Sequence, residues 1–192
     1  MIYFLLPIIV IGLYLWSVYN KFATTKTRIK ASIQEIGNQL KRQVGLIPNL
    51  VDSVKGYMKH EKGIFTALTD ARKAILAAAS QNDPQMMVNA SEGFQRTLGR
   101  FMALMENTPE LKAVEAVTKM MDELRDTADK VMYARRTLID LTADYNVMIV
   151  TFPSNLVAKL FKFEAEKGLQ TPLEGEHLKV SEEETKSPKV NM

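Results

Sequence analysis

The chain has no cysteine among its 192 residues and only two histidines. The absence of cysteine excludes disulfides, thiolate zinc sites and cysteine nucleophiles. The run HEKGI, which starts at His60, begins like the zincin helix motif, but Ile64 occupies the position of the second metal ligand. A di-iron bundle needs a Glu-x-x-His pair on each of two helices, and two such pairs are not present. We therefore expect no metal and no cofactor, and we interpret His60 as a surface or bundle-rim residue.

Glycine-rich loops are also missing, because the nine glycines are isolated from one another. The sequence contains no P-loop, no Gly-x-Gly-x-x-Gly run and no Gly-x-Ser-x-Gly elbow, so it lacks the usual phosphate cradles and serine nucleophiles. Asp122, Asp126 and Asp129 lie at helical spacing among basic residues, which is typical of a solvated face; a weak cation site is the alternative. Without an acid/base constellation, we expect no catalytic residues and no enzyme activity.

The net charge of +3 is too small to indicate a nucleic-acid partner. Its distribution is uneven: basic residues dominate from Lys21 to Lys59, whereas acidic residues dominate after Phe163. The acidic end contains Gly and Pro and has no sustained periodicity, so we expect residues 164–192 to form a disordered acidic tail.

The run IYFLLPIIVIGLYLWSVY (residues 2–19) has no charged side chain. A hydrocarbon core about 30 Å thick requires about 20 apolar residues as a helix, so residues 1–20 are predicted to form a transmembrane anchor. A cleaved signal peptide is the alternative, but only Met1 precedes the apolar run and no basic region is present. Basic residues follow the run, which predicts that its N-terminus lies outside and the remaining chain in the cytoplasm.

After the anchor, apolar residues recur at three- and four-residue steps, which is typical of amphipathic helices. Four helices are predicted, with a fresh start at Asp83-Pro84 and another at Thr108-Pro109. Short connections favour antiparallel neighbours. The sequence therefore predicts an all-α protein, with an N-terminal transmembrane helix and an antiparallel up-and-down four-helix bundle with long helices at residues 21–163.

The stretch QLKRQVGLIPNLVDSVKGY is helical in pattern on both sides of a central Gly and Pro. It is either a basic ligand-binding loop or a corner between two helices. Gly just after one helix and Pro just inside the next favour the corner, to which we assign Lys41, Arg42, Pro48 and Asn49. At about 1.5 Å per residue, Lys41 and Arg42 lie roughly 35 Å from the bilayer, beyond reach of its headgroups. They would bind a protein or a soluble anion, if they bind anything.

The end of the fourth helix should return to the membrane side of the bundle. Its run FPSNLVAKLFKF places apolar residues at helical spacing with lysines beside them. This predicted membrane or partner surface consists of Phe152, Leu156, Lys159, Leu160, Lys162 and Phe163. The alternative is that this short helix simply packs on the bundle.

Arg135 lies beside the predicted apolar face of the fourth helix. A buried arginine there would need a carboxylate partner, and Glu61, Asp70 and Asp140 are the expected candidates. We interpret such a pair as structural rather than catalytic.

Several stretches together resemble the LemA family. They are YNKF (19–22) after an N-terminal apolar run, QLKRQVGLIPNLVDSVKGYMKHE (39–61), PELKA (109–113), ARR (134–136), YN (145–146) and FPSNLVAKLFKF (152–163). The chain departs from the family pattern at residues 43–45, where an Arg-Tyr-Asp-like run is usual. The resemblance implies a single-pass bacterial inner-membrane protein with a helical domain. One magnetosome-associated branch of the family is implicated in membrane biogenesis.

These observations lead us to expect a non-enzymatic, membrane-anchored scaffold or adaptor at the bacterial inner membrane. Its expected partners are the lipid bilayer, protein partners of unknown identity and, because the fourth helix is long and amphipathic, further copies of itself. The alternative is a ligand- or stress-sensing helical bundle of a membrane signalling system, which would need a cavity lined by polar groups.

Overall fold

A computed structural model of the chain describes residues 2–58, 61–108 and 114–170, with side chains from residue 5 onward. Within these ranges the chain forms five helices and no strand: α1 (Ile2–Val54), α2 (Lys62–Gln81), α3 (Pro84–Glu106), α4 (Glu115–Val150) and α5 (Ser154–Phe161). The predicted all-α class is confirmed. His60 and the PELKA run lie outside the described residues.

Helix α1 is one continuous helix of 53 residues that includes both the apolar N-terminal run and the first helix of the bundle. Within the described residues it is the helix long and apolar enough to cross a membrane, with a mean hydropathy of 1.5 over its most apolar window. Only 6% of that window is buried in the protein. The exposed apolar surface fits the predicted anchor.

The predicted corner at Gly45 and Pro48 is wrong, because α1 runs through both residues to Val54. The apolar stripe explains the difference. Residues on both sides of Pro48 are buried on the same helix face: Leu40, Val44, Ile47, Leu50 and Val54. A proline inside a helix costs roughly 3 kcal/mol. Burial of two apolar side chains beyond it, at about 1.5–3 kcal/mol each, offsets that cost.

The chain reverses instead between Val54 and Lys62. It reverses again between α2 and α3, where the Asp83 carboxylate accepts hydrogen bonds from the backbone N–H groups of Gln85 and Met86 at 2.8 and 3.0 Å. This N-cap with Pro84 in the first turn is the predicted helix start. The start predicted at Thr108-Pro109 adjoins residues 109–113, which lie outside the described residues; the Thr108 hydroxyl donates to the Leu104 carbonyl at 3.2 Å.

The bundle consists of two antiparallel pairs that share one hydrophobic core. Helix α1 packs along α4, and α2 packs against α3. The register of the first pair is visible at both ends, where Phe22 faces Tyr145 and Arg42 faces Glu123. This is the predicted up-and-down four-helix arrangement.

The α2–α3 pair is shorter than the α1–α4 pair, since α2 has 20 residues and α4 has 36. The side chain of Met87, near the start of α3, lies against Gly37 of α1. A Cβ atom added at Gly37 would be 3.8 Å from the Met87 Cε atom. Gly37 is 15 residues beyond Phe22, or about 22 Å along the helix. The end of the bundle near the anchor is therefore completed by other elements, α5 and the chain after it.

Residues 163–170, which we call the return segment, have no helix or strand and run from Phe22 back to the start of α3. Phe163 stacks on Phe22, and the backbone N–H of Gln170 donates to the side-chain oxygen of Gln85 at 2.8 Å. Residues 164–170, assigned from sequence to the disordered tail, thus lie against the bundle. The remainder of that predicted tail is outside the described residues.

Candidate membrane-facing site

Three stretches that are distant in sequence meet at the end of the bundle nearest the apolar run of α1. Phe22 and Tyr145 are fully buried, and their rings meet edge to face with centroids 5.5 Å apart. Phe163 stacks on Phe22, with ring centroids 4.8 Å apart. Tyr19 contacts Phe161 at 4.9 Å. The YNKF, YN and FPSNLVAKLFKF stretches therefore build one aromatic cluster.

Helix α5 follows a tight reversal of the chain after α4. The Phe152–Pro153 peptide bond is cis, and two hydroxyl groups of the turn donate hydrogen bonds within the chain. The Thr151 hydroxyl donates to the Val147 carbonyl at 2.7 Å, and the Ser154 hydroxyl donates to the Met148 carbonyl at 2.8 Å. Local hydrogen bonds of this kind reduce the cost of placing a turn in an apolar environment.

Helix α5 has an inner face and an outer face. Val157 and Ala158 are buried against the bundle. The outer face is apolar and exposed: Phe152 just before the helix is 74% exposed, Leu156 56% and Leu160 65%. Val147 and Val150 at the end of α4 are exposed as well. We call these five residues the outer apolar face.

The reversal lies beside the apolar run of α1. Val150 is five residues past Tyr145, so it lies about 7.5 Å further toward the N-terminal end of α1 than the ring of Phe22. Tyr14, Leu15 and Val18 of α1 are partly buried against the core at this level. The outer apolar face and the last turns of the predicted span therefore lie side by side.

Of the six residues predicted as a membrane or partner surface, five are exposed: Phe152, Leu156, Lys159, Leu160 and Lys162. Phe163 instead turns inward onto Phe22. The chain direction changes at Lys162, whose φ of 56° ends α5, so the helical spacing does not extend to the next residue.

The sequence interpretation missed Val147, Val150 and Phe161. The two valines lie outside the apolar stripe of the fourth helix, because their spacing from Tyr145 places them on other sides of α4. Phe161 lies one residue outside the four-residue spacing that was followed. The aromatic residues of YNKF were the available sequence signal for the contact between Phe161 and Tyr19.

The return segment is held by polar contacts at the same end of the bundle. Asn146 makes two hydrogen bonds with the backbone of Glu166, one to its carbonyl and one from its N–H, both 2.9 Å long. The Glu166 carboxylate forms an ion pair with Lys26, with Oε1 and Nζ 2.9 Å apart. The hydrogen bond that the Lys26 ammonium donates to the Glu166 carboxylate raises the pKa of Lys26.

The buried Tyr145 hydroxyl has no hydrogen-bond partner among the described residues. Burial raises the pKa of Tyr145, because the phenolate is poorly solvated there, and the nearby positive charge of Lys26 acts in the opposite direction. Tyr145 is therefore a neutral packing residue at physiological pH.

The residues assigned to the corner lie along one stretch of α1. Arg42 donates to the Glu123 carboxylate of α4 from two nitrogens, at 2.7 and 2.8 Å, so its partner is the protein itself. Lys41 is exposed on α1, and Pro48 and Asn49 lie within the helix. These four residues belong to the side of the bundle rather than to its end.

Arg135 pairs with Glu92 of α3 at 2.7 Å, so the partners expected from sequence (Glu61, Asp70 and Asp140) are wrong. The pair crosses from α4 to α3 and is partly exposed. It joins two helices.

The acidic residues of α4 form local ion pairs on an exposed face. Asp122 pairs with Arg125 at 3.5 Å, and Asp126 pairs with Lys130 at 2.6 Å. Over residues 2–58, 61–108 and 114–170, no group of three or more His, Asp or Glu side chains has a geometry that could hold a metal ion.

With this geometry established, comparison with protein-family models gives a match to the LemA family over residues 32–191, which is most of the chain. The chain belongs to the LemA family. The resemblance found in the sequence is thereby confirmed. Family membership and the apolar helix α1 together support a membrane-anchored helical protein.

Similar curated proteins carry magnetosome names. The magnetosome protein MamQ of Magnetospirillum gryphiswaldense is 26% identical over 168 residues, which cover 76% of this LemA chain and 62% of the relative. Magnetosome proteins MamQ 1 and MamQ 2 of Paramagnetospirillum magneticum are 24% identical with the same coverage. The chain thus spans less than two thirds of the length of these relatives.

Proposed function

We propose that this LemA protein is a non-enzymatic, membrane-anchored helical scaffold whose bundle makes a second contact with the bilayer through α5. The observation that carries this proposal is the outer apolar face (Val147, Val150, Phe152, Leu156 and Leu160), which is exposed beside the last turns of the apolar run of α1. Contiguous exposed apolar surface of this kind marks an interaction site.

The lipid bilayer is the partner that the position of this face favours. If α1 crosses the membrane with Lys21 at the headgroups, the chain reversal lies roughly 5–10 Å inside the interface, the depth at which amphipathic helices bind. Transfer of Phe152, Leu156 and Leu160 from water into that region is favourable by about 1.5–3 kcal/mol for each fully buried side chain. Lys159 and Lys162 have long stems that reach the headgroups from such a position.

Two contacts with one bilayer would hold the bundle in a defined direction. A single span leaves a domain free to rotate, whereas α5 on one side of α1 would restrict rotation about the span and favour one direction of tilt. The bundle would then present its long sides parallel to the membrane normal, ready to bind protein partners or further copies of itself. This is the sense in which we propose a scaffold.

The first experiment measures the depth of α5 in the full-length chain. Because the protein has no cysteine, Leu160→Cys gives one site for a nitroxide label. In reconstituted vesicles the label should be more accessible to oxygen, which partitions into lipid, than to a water-soluble nickel complex. Met132→Cys is the matched control, since this residue is 63% exposed and lies 13 residues before Tyr145, or about 20 Å away along α4. Equal aqueous accessibility at both positions contradicts the second contact.

We propose that the protein resides in the bacterial inner membrane with its N-terminus outside and its bundle in the cytoplasm. The basic residues after the apolar run support this topology: Lys21, Lys26, Arg28 and Lys30. Protease added to sealed cells should leave the bundle intact. Digestion from outside indicates the reverse topology.

Protein partners are the finer part of the proposal, and the relatives' names point to organised membranes such as the magnetosome. Crosslinking of the intact protein in its membrane, with size analysis in mild detergent, distinguishes the two forms of scaffold. A large homo-oligomer supports self-assembly, and a monomer crosslinked to one foreign protein supports an adaptor. Neither product contradicts the scaffold.

The alternative function is ligand sensing by the bundle, and one observation favours it. The groove between α3 and α4 has a volume of about 480 Å³ and is lined by Val88, Met132 and the Glu92–Arg135 pair. Polar and apolar groups converge there as they do in small-molecule sites. A ligand bound in this groove should raise the melting temperature and lose that effect in Arg135→Met.

A further inference from the structure

We propose that the second bilayer contact selects anionic phospholipids, whose phosphate headgroups are bound by Lys159 and Lys162. This inference rests on the proposed function, because it requires that α5 lies in the interface. It adds a lipid class, which the apolar face alone does not specify.

Two lysines project from the last turn and C-terminus of α5. Lys159 lies between Leu156 and Leu160 in sequence, and Lys162 is the C-cap of the helix. Both side chains belong to exposed residues. Phe161, between them in sequence, contacts Tyr19, which is two residues before Lys21. All three lysines therefore lie at about the same level of the protein.

The carboxylates of the described residues do not neutralise these lysines. In the part of the chain that the structure describes, neither Lys159 nor Lys162 forms an ion pair. Glu166, a half-buried carboxylate four residues after Lys162, is already paired with Lys26 at 2.9 Å. Exposed Glu164 leaves a net positive charge at this level.

The outer apolar face determines how close these charges approach the bilayer. Once Leu156 and Leu160 enter the lipid, their neighbours Lys159 and Lys162 are held at the depth of the phosphate groups. A lysine near an anionic surface gains about 1 kcal/mol, which corresponds to about a fivefold change in an equilibrium constant. Zwitterionic headgroups carry no net charge and give little of this gain.

The experiment uses the full-length protein with the nitroxide at Leu160→Cys, reconstituted in two kinds of vesicle. One contains only phosphatidylcholine, and the other contains phosphatidylcholine with phosphatidylglycerol. The immersed fraction of the label should be larger in the anionic vesicles, and added salt should reduce the difference because the charges lie at the aqueous surface. Lys159→Gln with Lys162→Gln should lower the ratio of immersed to aqueous label about 25-fold in anionic vesicles at low salt.

The control is Lys41→Gln with Lys55→Gln, which removes the same charge from exposed positions far from α5. It should leave the immersed fraction unchanged. Reversing the charge with Lys159→Glu and Lys162→Glu should abolish immersion in anionic vesicles, and a cationic lipid should restore it. This rescue excludes misfolding of the variant as the cause.

The outcomes separate the two proposals. Equal immersion in both kinds of vesicle, with no effect of the lysine substitutions, overturns the selection of anionic lipid and leaves the second contact in place. An aqueous label in every vesicle overturns both. Immersion that depends on phosphatidylglycerol and on both lysines supports both.

Discussion

Gln43 is a polar side chain within the apolar interior of the bundle. It is fully buried, and both its amide oxygen and its amide nitrogen lack a hydrogen-bond partner among the described residues. An unpaired buried amide is costly because it has lost its hydrogen bonds to water. Gln43 is the first of the three residues, 43–45, at which the sequence departs from the LemA pattern. Gln43 is therefore a weak point of the core.

Replacement of this amide should stabilise the protein. We expect Gln43→Leu to raise the free energy of unfolding by about 1–3 kcal/mol, the usual penalty of an unsatisfied buried group. Thermal unfolding of the full-length chain in mild detergent, followed by circular dichroism, measures the change. Gln34→Leu on the exposed side of α1 is the control and should have little effect. A lower melting temperature in Gln43→Leu would mean that the amide is hydrogen-bonded in solution.

Tyr145 provides a prediction about pH. Its pKa is raised by burial, so the folded protein keeps the phenol proton at a pH where the unfolded chain loses it. This contribution to stability is complete below pH 10, the ordinary pKa of tyrosine, and declines as the pH rises above it. Tyr145→Phe should therefore lose less stability than the wild type between about pH 10 and 11.

The matched measurement for Tyr145→Phe is the melting temperature at pH 8 and at pH 10.5. Near pH 8 the substitution should be neutral or slightly stabilising, because the hydroxyl it removes is buried without a partner. The same alkaline loss in variant and wild type would contradict the assignment. Lys26 also has a raised pKa, through Glu166, so part of the alkaline loss should remain in the variant.

At the scale of single residues, the sequence identified Arg135 as a side chain in need of a carboxylate but gave the wrong partners. The need follows from its place beside the apolar stripe, which periodicity shows. The partner depends on how α3 and α4 are rotated and aligned against each other, and that information is held in the packed core. Glu92 could not be chosen over Asp140 from spacing alone.

Among the elements, α1 shows where glycine and proline fail as signals for the end of one helix and the start of the next. Gly45 and Pro48 stand in the order expected of a helix end and a new start, yet the apolar stripe continues through them. The stripe is the stronger signal because its burial involves several side chains, whereas the proline removes one hydrogen bond. The start of α3 was predictable because Asp83 and Pro84 act locally.

The continuous helix predicts the sign of a substitution at Gly45. This residue is helical, without a positive φ, and an added Cβ would meet no atom within 4 Å. Gly45→Ala should therefore stabilise the protein by about 0.5–1 kcal/mol through helix propensity. In a corner with Gly as the left-handed stop, the same change would destabilise it. Thermal unfolding distinguishes the two, with Gly12→Ala in the apolar run as a comparison.

For the whole molecule, the return segment is the part least accessible to prediction from sequence. Residues 164–170 have an acidic, irregular composition, and their order comes from contacts with residues far away in the chain: Lys26, Gln85, Thr142 and Asn146. No local periodicity reports such contacts. The four-helix arrangement, by contrast, followed from the number and length of the periodic segments.

The return segment should contribute to the stability of the entire bundle. Two variants that keep the anchor and the bundle test this, one truncated after Gln170 and one truncated after Phe163. The shorter variant loses the two Asn146 hydrogen bonds and the half-buried Leu169, so we expect its free energy of unfolding to be about 2–3 kcal/mol below that of the longer one. Equal melting temperatures would mean that the segment lies on the bundle without stabilising it.

The single helix from Ile2 to Val54 gives the protein a mechanical property. No hinge separates the apolar run from the bundle in α1, and the 32 residues from Phe22 to the end of the helix extend about 48 Å. Transmembrane helices tilt when the bilayer becomes thinner. A tilt of about 10° at the span would then displace the far end of the bundle by roughly 8 Å, so α1 acts as a lever arm that converts bilayer thickness into lateral position at the tip.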